Sequence, residues 1–369
     1  MKLRLPITER MVRVLIFGAI FASGCLYGLE KMAQTVEVSW TIDPKEIPST
    51  IQPHPYLLWD LPPGDTEVNG QVVHINQVGS RGPETTWEKP SGTRRVIALG
   101  DEVVFGDGVD REVTFVVDAV NALGGARVGV ETLLLAVPGY SIVQQRNLMD
   151  LRGWSLEPNV LVINGPGIDM GVAPYVDEDL LTPVRSRDSH RAQFEQLASF
   201  RILNHYMQVT RGQTARNRDH VFLGQQNLNK MGRPRVGVND YAQHLDAITA
   251  GAIERGVGVV YVIYPVPEDL KDSHLTERVS LYRTAMTDVA RRNGVPIVDG
   301  PAVFKNSGRG KERLFDSARL LTEYGHRNLG YALSATLRKW MRGRKILGQG
   351  TGETIPQYRE PALLPPEAP

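Results

Sequence analysis

The sequence predicts an α/β domain built as a doubly wound, five-stranded parallel sheet. Three observations predict it. From Arg94 onward, short runs rich in Val, Ile and Leu alternate with segments of helical hydrophobic period. Those runs are continuously apolar rather than alternating, as expected of strands covered on both faces. The apolar fraction, 41% of 369 residues, is ample for a large buried core.

Taken in order, the strands are predicted over 95–99, 131–137, 159–164, 257–264 and 295–298. Helices are predicted over 113–123, 142–152, 190–208, 239–255, 274–293 and 323–341. Residues 32–92 carry Pro44, Pro48, Pro53, Pro55, Pro62, Pro63, Pro83 and Pro90 between short β-like runs, and read as a stalk leading into a β-rich lobe. The last segment holds Pro356, Pro361, Pro365, Pro366 and Pro369, the composition of a disordered tail. The predicted organisation is therefore an N-terminal segment (1–31), a stalk and lobe (32–92), the α/β domain (93–343) and the tail (344–369).

The N-terminus has Lys2, Arg4, Arg10 and Arg13 against Glu9, then an uncharged apolar stretch over 14–29. A basic start followed by an apolar run marks an export signal or a membrane anchor. The first reading is a retained helix spanning about 11–29, with Arg13 snorkelling to the headgroups. The positive flank would stay in the cytoplasm, which puts the main domain in the bacterial periplasm, held at the inner membrane. The second reading takes Phe21-Ala22-Ser23-Gly24-Cys25 as a lipobox, with Cys25 the lipidated first residue of a lipoprotein.

Composition excludes several function classes. A net charge of +1 lacks the basic surplus that a nucleic-acid binder uses to neutralise phosphates. The lone Cys25 makes no internal disulfide, Cys-based zinc site or iron–sulfur cluster. The glycines at 106, 108, 165 and 167 lack the Lys-Ser/Thr of a phosphate loop. No cofactor is expected. Asp101, Glu102, Asp107, Asp110 and Asp169 are the residue type that binds Ca²⁺ or Mg²⁺, but they lie on separate loops near the basic Arg319, so no metal is expected either.

The loops after the predicted strands should carry any chemistry. They are Gly100-Asp101-Glu102-Val103-Val104-Phe105-Gly106, Val137-Pro138-Gly139-Tyr140-Ser141 and Asn164-Gly165-Pro166-Gly167-Ile168-Asp169. Near the C-terminus, Asp316-Ser317-Ala318-Arg319 precedes Thr322-Glu323-Tyr324-Gly325-His326. With the lead-in Val78-Gly79-Ser80-Arg81-Gly82-Pro83-Glu84, and with Ile263-Tyr264-Pro265 and Val295-Pro296-Ile297-Val298-Asp299, these blocks resemble the SGNH (GDSL-type) hydrolases. The resemblance covers most of residues 72–340 and implies a flavodoxin-like sheet.

In that family a serine attacks an acyl carbonyl and a histidine takes its proton, oriented by an aspartate three residues earlier. The serine N–H, a glycine N–H and an asparagine side chain hold the oxyanion. The resemblance puts the nucleophile position at Glu102, the oxyanion glycine at Gly139, the asparagine position at Ile168, the orienting aspartate at Asp316 and the base position at Arg319. Only Gly139 and Asp316 keep the family's residue, so no catalytic residue is expected. Glu102 has no proton to surrender, Arg319 stays charged at ordinary pH, and Ile168 donates nothing. Opposite charges at 102 and 319, where serine and histidine would touch, predict a Glu102–Arg319 ion pair.

His326 lies on the first turn of the last helix, where the resemblance implies a structural histidine. Trp40, Trp59 and Trp87 could stack on sugar rings but are expected to pack the lobe. The resemblance implies a non-catalytic binding or scaffold subunit of a membrane or cell-envelope complex. Its implied partners are integral membrane proteins, such as a membrane-bound O-acyltransferase, or a cell-surface glycan. An esterase or O-acyltransferase acting on acylated surface polysaccharide is the other function it implies.

Overall fold

The structure is a computed structural model. It describes residues 9–41, 52–54, 56–181, 184, 197, 199, 203, 229–271 and 276–343. The chain divides into two units, residues 1–48 with 185–225 and residues 49–184 with 226–369.

Among the described residues the first unit contains one long helix, α1 (Glu9–Thr41). The apolar stretch is helical as predicted, but the helix runs on through Glu30 and Lys31, so the boundary drawn at residue 31 falls inside it. Among the described residues no helix is long and apolar enough to cross a membrane. This departs from the span expected over 11–29. The uncharged stretch 14–29 lies between Arg13 and Glu30, and falls short of the roughly 17–25 apolar residues a span requires. Glu30 Oε2 instead accepts from Ser199 N (3.1 Å) and Ser199 Oγ (2.6 Å). Cys25 is exposed on this helix. Most of the helix expected over 190–208 and the whole tail, 344–369, lie outside the described residues.

The second unit opens with two small antiparallel pairs, β1 (Gln52–His54) with β2 (Leu58–Asp60) and β3 (Gly64–Val68) with β4 (Gln71–Ile75). The main sheet has five parallel strands in the order β6-β5-β7-β8-β9. They are β5 (Arg94–Gly100), β6 (Val130–Ala136), β7 (Val160–Gly165), β8 (Gly258–Ile263) and β9 (Ile297–Asp299). Each lies within two residues of its predicted edges. Every residue of β7 and β8 is buried, which explains their apolar runs at 160–163 and 258–263; the one polar residue, Asn164, donates to Val262 O.

The helices between the strands are α2 (Glu102–Phe105), α3 (Phe115–Asn121), α4 (Ile142–Leu148), α5 (Asp177–Leu180), α6 (Val238–Glu254) and α7 (Glu277–Asn293). After β9 come α8 (Gly300–Asn306), α9 (Lys311–Leu314) and α10 (Glu323–Gly343). The helix expected over 142–152 ends its α-helical part at Leu148 and continues as a π-turn, Met149–Gly153. The chain steps from β5 to β6, then crosses back past β5 to β7, β8 and β9. That reversal winds helices onto both faces: α10 packs with α3 and α8, and α6 packs with α4 and α7. It also leaves a crevice at the C-terminal ends of β5 and β7, where sites form on such sheets.

Candidate functional site

The crevice is lined from β5 by Asp101 and Glu102. Asp101 caps α2, its Oδ1 accepting from Val103 N at 3.1 Å. Its carboxyl is buried and pushed well above the usual carboxylate range, by burial first and then by the charges of Glu102 and Asp169. Gly167, from the loop after β7, packs directly on it: a Cβ there would lie 2.1 Å from Asp101 Oδ2.

Glu102 is half-buried, and its Oε2 accepts from Gly139 N at 3.0 Å. Gly139 therefore directs its N–H at the Glu102 carboxylate. Its φ of +79° and the Trp59 ring, 3.2 Å from where a Cβ would sit, suit only glycine. The Gly139 carbonyl is held by Arg235 Nη1. Arg235 Nη2 also donates to Gln144 Oε1 (2.5 Å) and Nε to Asp177 Oδ1 (2.8 Å), and the guanidinium lies over the Trp59 and Tyr175 rings. Ser141 closes the same network, donating to Asp177 and capping α4. The two peptide groups flanking Gly139 are thus each held, one at its N–H by Glu102 and the next at its carbonyl by Arg235.

The expected Glu102–Arg319 ion pair is not formed. Arg319 is exposed, and its Nη2 donates to Glu268 Oε2 at 2.6 Å. Its backbone is left-handed, with φ +69°, and its carbonyl accepts from Tyr264 Oη at 3.1 Å. That hold turns the guanidinium towards the loop after β8. Asp316 does not share the guanidinium either; its Oδ1 accepts from Leu320 N (2.8 Å) and closes its own turn. Ile168 is half-buried at the start of the short 3-10 turn Ile168–Met170 and contributes no polar side-chain atom.

Asp169, beside it, is buried and accepts from Ile142 N at 2.7 Å, and burial raises its carboxyl to about 6. Asp107 accepts from Asn69 Nδ2 (2.5 Å). The acidic residues thus answer to different partners, and among the described residues no group of three or more His, Cys, Asp or Glu is placed to hold a metal ion. His326 is buried behind the sheet, stacked on Phe115, its Nδ1 accepting from Phe115 N (3.3 Å). Burial, with the Arg81 charge second, lowers it to about 3, so the ring is neutral at neutral pH.

Two residues that line the site were not singled out from sequence. Tyr264 follows β8, and its hydroxyl is pushed up by burial and by Asp101 and Glu102. Arg235 lies far along the chain, after the 182–228 stretch, and carried no motif. Its role rests on a buried pairing with Asp177, which no spacing announces. Trp59 packs against Gly139, Arg235 and Tyr140 as expected of the lobe tryptophans, whereas Trp87 is exposed and Trp40 lies on α1, outside the lobe.

No family model matches the chain, and no curated protein matches it. Among solved structures it is similar to an alpha/beta hydrolase enzyme from the metagenome of Lake Arreo, Spain, at 13% identity and TM-score 0.44, covering 68% of this chain and 98% of that one. It is also similar to the acetyl xylan esterase AlAXEase, at 13% identity and TM-score 0.43, over 66% of this chain and 99% of that one. A catalytic mutant of an acetylxylan esterase from Geobacillus stearothermophilus matches at 13% identity and TM-score 0.42, over 68% and 96%. At such identities the likeness is one of fold alone. The five-stranded parallel sheet in the order β6-β5-β7-β8-β9 gives this chain a fold like that of the SGNH-type hydrolases.

Proposed function

We propose that this chain is a non-catalytic binding or scaffold subunit of a membrane or cell-envelope complex, built on a hydrolase fold. The observation that carries this reading is the hydrogen bond from Gly139 N to Glu102 Oε2. In an acyl hydrolase that N–H is reserved for a developing oxyanion. Here a carboxylate of the chain itself takes it, and its negative charge would repel an oxyanion. A carboxylate has no proton for a base to remove, and Arg319, drawn away to Glu268, is no base.

The test is hydrolysis of small aryl acetates by the full chain, alongside labelling with a serine-directed phosphonate. The reading expects no turnover above buffer and no label. Turnover abolished by Glu102→Ala would overturn it in favour of an esterase or O-acyltransferase of acylated surface polysaccharide.

Attachment to the bacterial inner membrane, facing the periplasm, is part of the proposal. It is supported by the basic N-terminal flank and by exposed apolar side chains along α1, including Phe17, Ile20, Phe21 and Leu26. Membrane fractionation with co-purification tests attachment and identifies integral membrane partners, such as an O-acyltransferase. Intact mass then separates two routes of attachment: an uncleaved N-terminus favours attachment through the apolar side chains of α1, and an acylated N-terminal Cys25 the lipoprotein.

A further inference from the structure

A second cluster, on the lobe, is built around one imidazole. His74 on β4 stands directly opposite Asp65 on β3 in the hairpin register. Its Nδ1 lies 2.7 Å from Asp65 Oδ1, and its Nε2 lies 2.9 Å from Glu84 Oε1. A neutral imidazole has one N–H, so one ring nitrogen would present a lone pair to a carboxylate oxygen. Both contacts are satisfied only when the ring carries two protons.

What the ring joins gives the contact a consequence. Glu84 lies on a strap, residues 76–86, that lies between the hairpin and the main sheet. Gly82 N donates to His74 O at 2.9 Å, and Arg81 bridges both Ile75 and Leu134 of β6. The buried Arg81 guanidinium then reaches the loop behind Glu102, donating from Nη1 to Phe105 O (2.9 Å) and Gly106 O (2.6 Å) and from Nη2 to Val109 O (2.9 Å). Glu84 Oε2 also accepts from Gln77 N, at 3.2 Å.

We propose that His74, held between Asp65 and Glu84, is a proton-operated clasp that fastens this strap to the β3–β4 hairpin and, through Arg81, steadies the loop behind position 102. The charged groups facing the ring are Asp65 and, two residues along the same exposed face of β3, Glu67, with Glu84 from the strap; Arg81 points away from it, into the domain. The hydrogen bonds to Asp65 first, and Glu84 second, raise His74 above the ordinary imidazole range, while His74 holds Glu84 below the ordinary carboxylate range. A raised imidazole stabilises the fold below its unfolded value, and that contribution is lost as pH rises through the folded value. A lowered carboxylate does the opposite, losing its contribution as pH falls through its own folded value. The clasp is closed between the two and opens on the alkaline side of His74.

The experiment is an NMR titration of the His74 ring, with hydrogen exchange at the Gly82 amide, in the full chain. Wild type is compared with Asp65→Asn, Glu84→Gln, their double variant and His74→Gln. The wild-type midpoint is expected above the ordinary value, falling in each single variant and reaching the ordinary value in the double. Gly82 should be better protected in wild type than in His74→Gln below that midpoint, the two converging above it. A wild-type midpoint at the ordinary value, an unmoved midpoint in Glu84→Gln, or equal Gly82 protection throughout would overturn the proposal.

Discussion

Arg319 donates to Glu268 across 2.6 Å, and in doing so leaves the crevice to a carboxylate. Both partners are partly exposed, at 60% and 35% of their side-chain surface. Exposed pairs contribute about 0–1 kcal/mol. A double-mutant cycle over Arg319→Ala and Glu268→Ala, read by urea denaturation, should give a coupling within that range. The same cycle over Arg319 and Glu102 should give none.

Arg235 and Asp177 are a different matter, because both are buried. Arg235→Met strands the Asp177 charge and frees the Gly139 carbonyl, so a loss of about 3–5 kcal/mol is expected by denaturant melting. Replacing both, as Arg235→Met with Asp177→Leu, should cost less than Arg235→Met alone.

His326 predicts acid sensitivity. Its folded value of about 3 lies below an unfolded value of about 6.5, so the unfolded chain binds the extra proton between them. This group therefore subtracts stability as pH falls through that window, with a slope approaching about 1.4 kcal/mol per pH unit. Asp169, raised to about 6, works in the other direction. The difference between wild type and His326→Phe isolates the histidine: the variant should gain on wild type as pH drops from 7 towards 4.

Gly167→Ala would drive a Cβ to 2.1 Å from Asp101 Oδ2. An overpacked site of this kind costs about 1–3 kcal/mol. The cost should shrink in an Asp101→Ala background, giving a coupling that thermal melts can measure.

Fold class and strand edges were legible in the sequence because burial on both faces of a parallel sheet writes itself as unbroken apolar runs, as in β7 and β8. The chemistry-bearing loops were legible too, because they must follow those strands. What sequence alone determined is therefore the sheet, its loops, and which residues occupy positions 102, 139, 168, 316 and 319.

Only the tertiary structure decided which of those residues meet. Charge complementarity favoured Glu102 with Arg319, but a hydrogen bond needs direction as well as charge. Gly139, fixed by Arg235 through contacts 96 residues apart in the chain, presents an N–H that Glu102 satisfies. Arg319, left-handed and held at its carbonyl by Tyr264, aims its side chain at Glu268 instead. Those outcomes depend on backbone orientation set by distant residues, which no local pattern encodes.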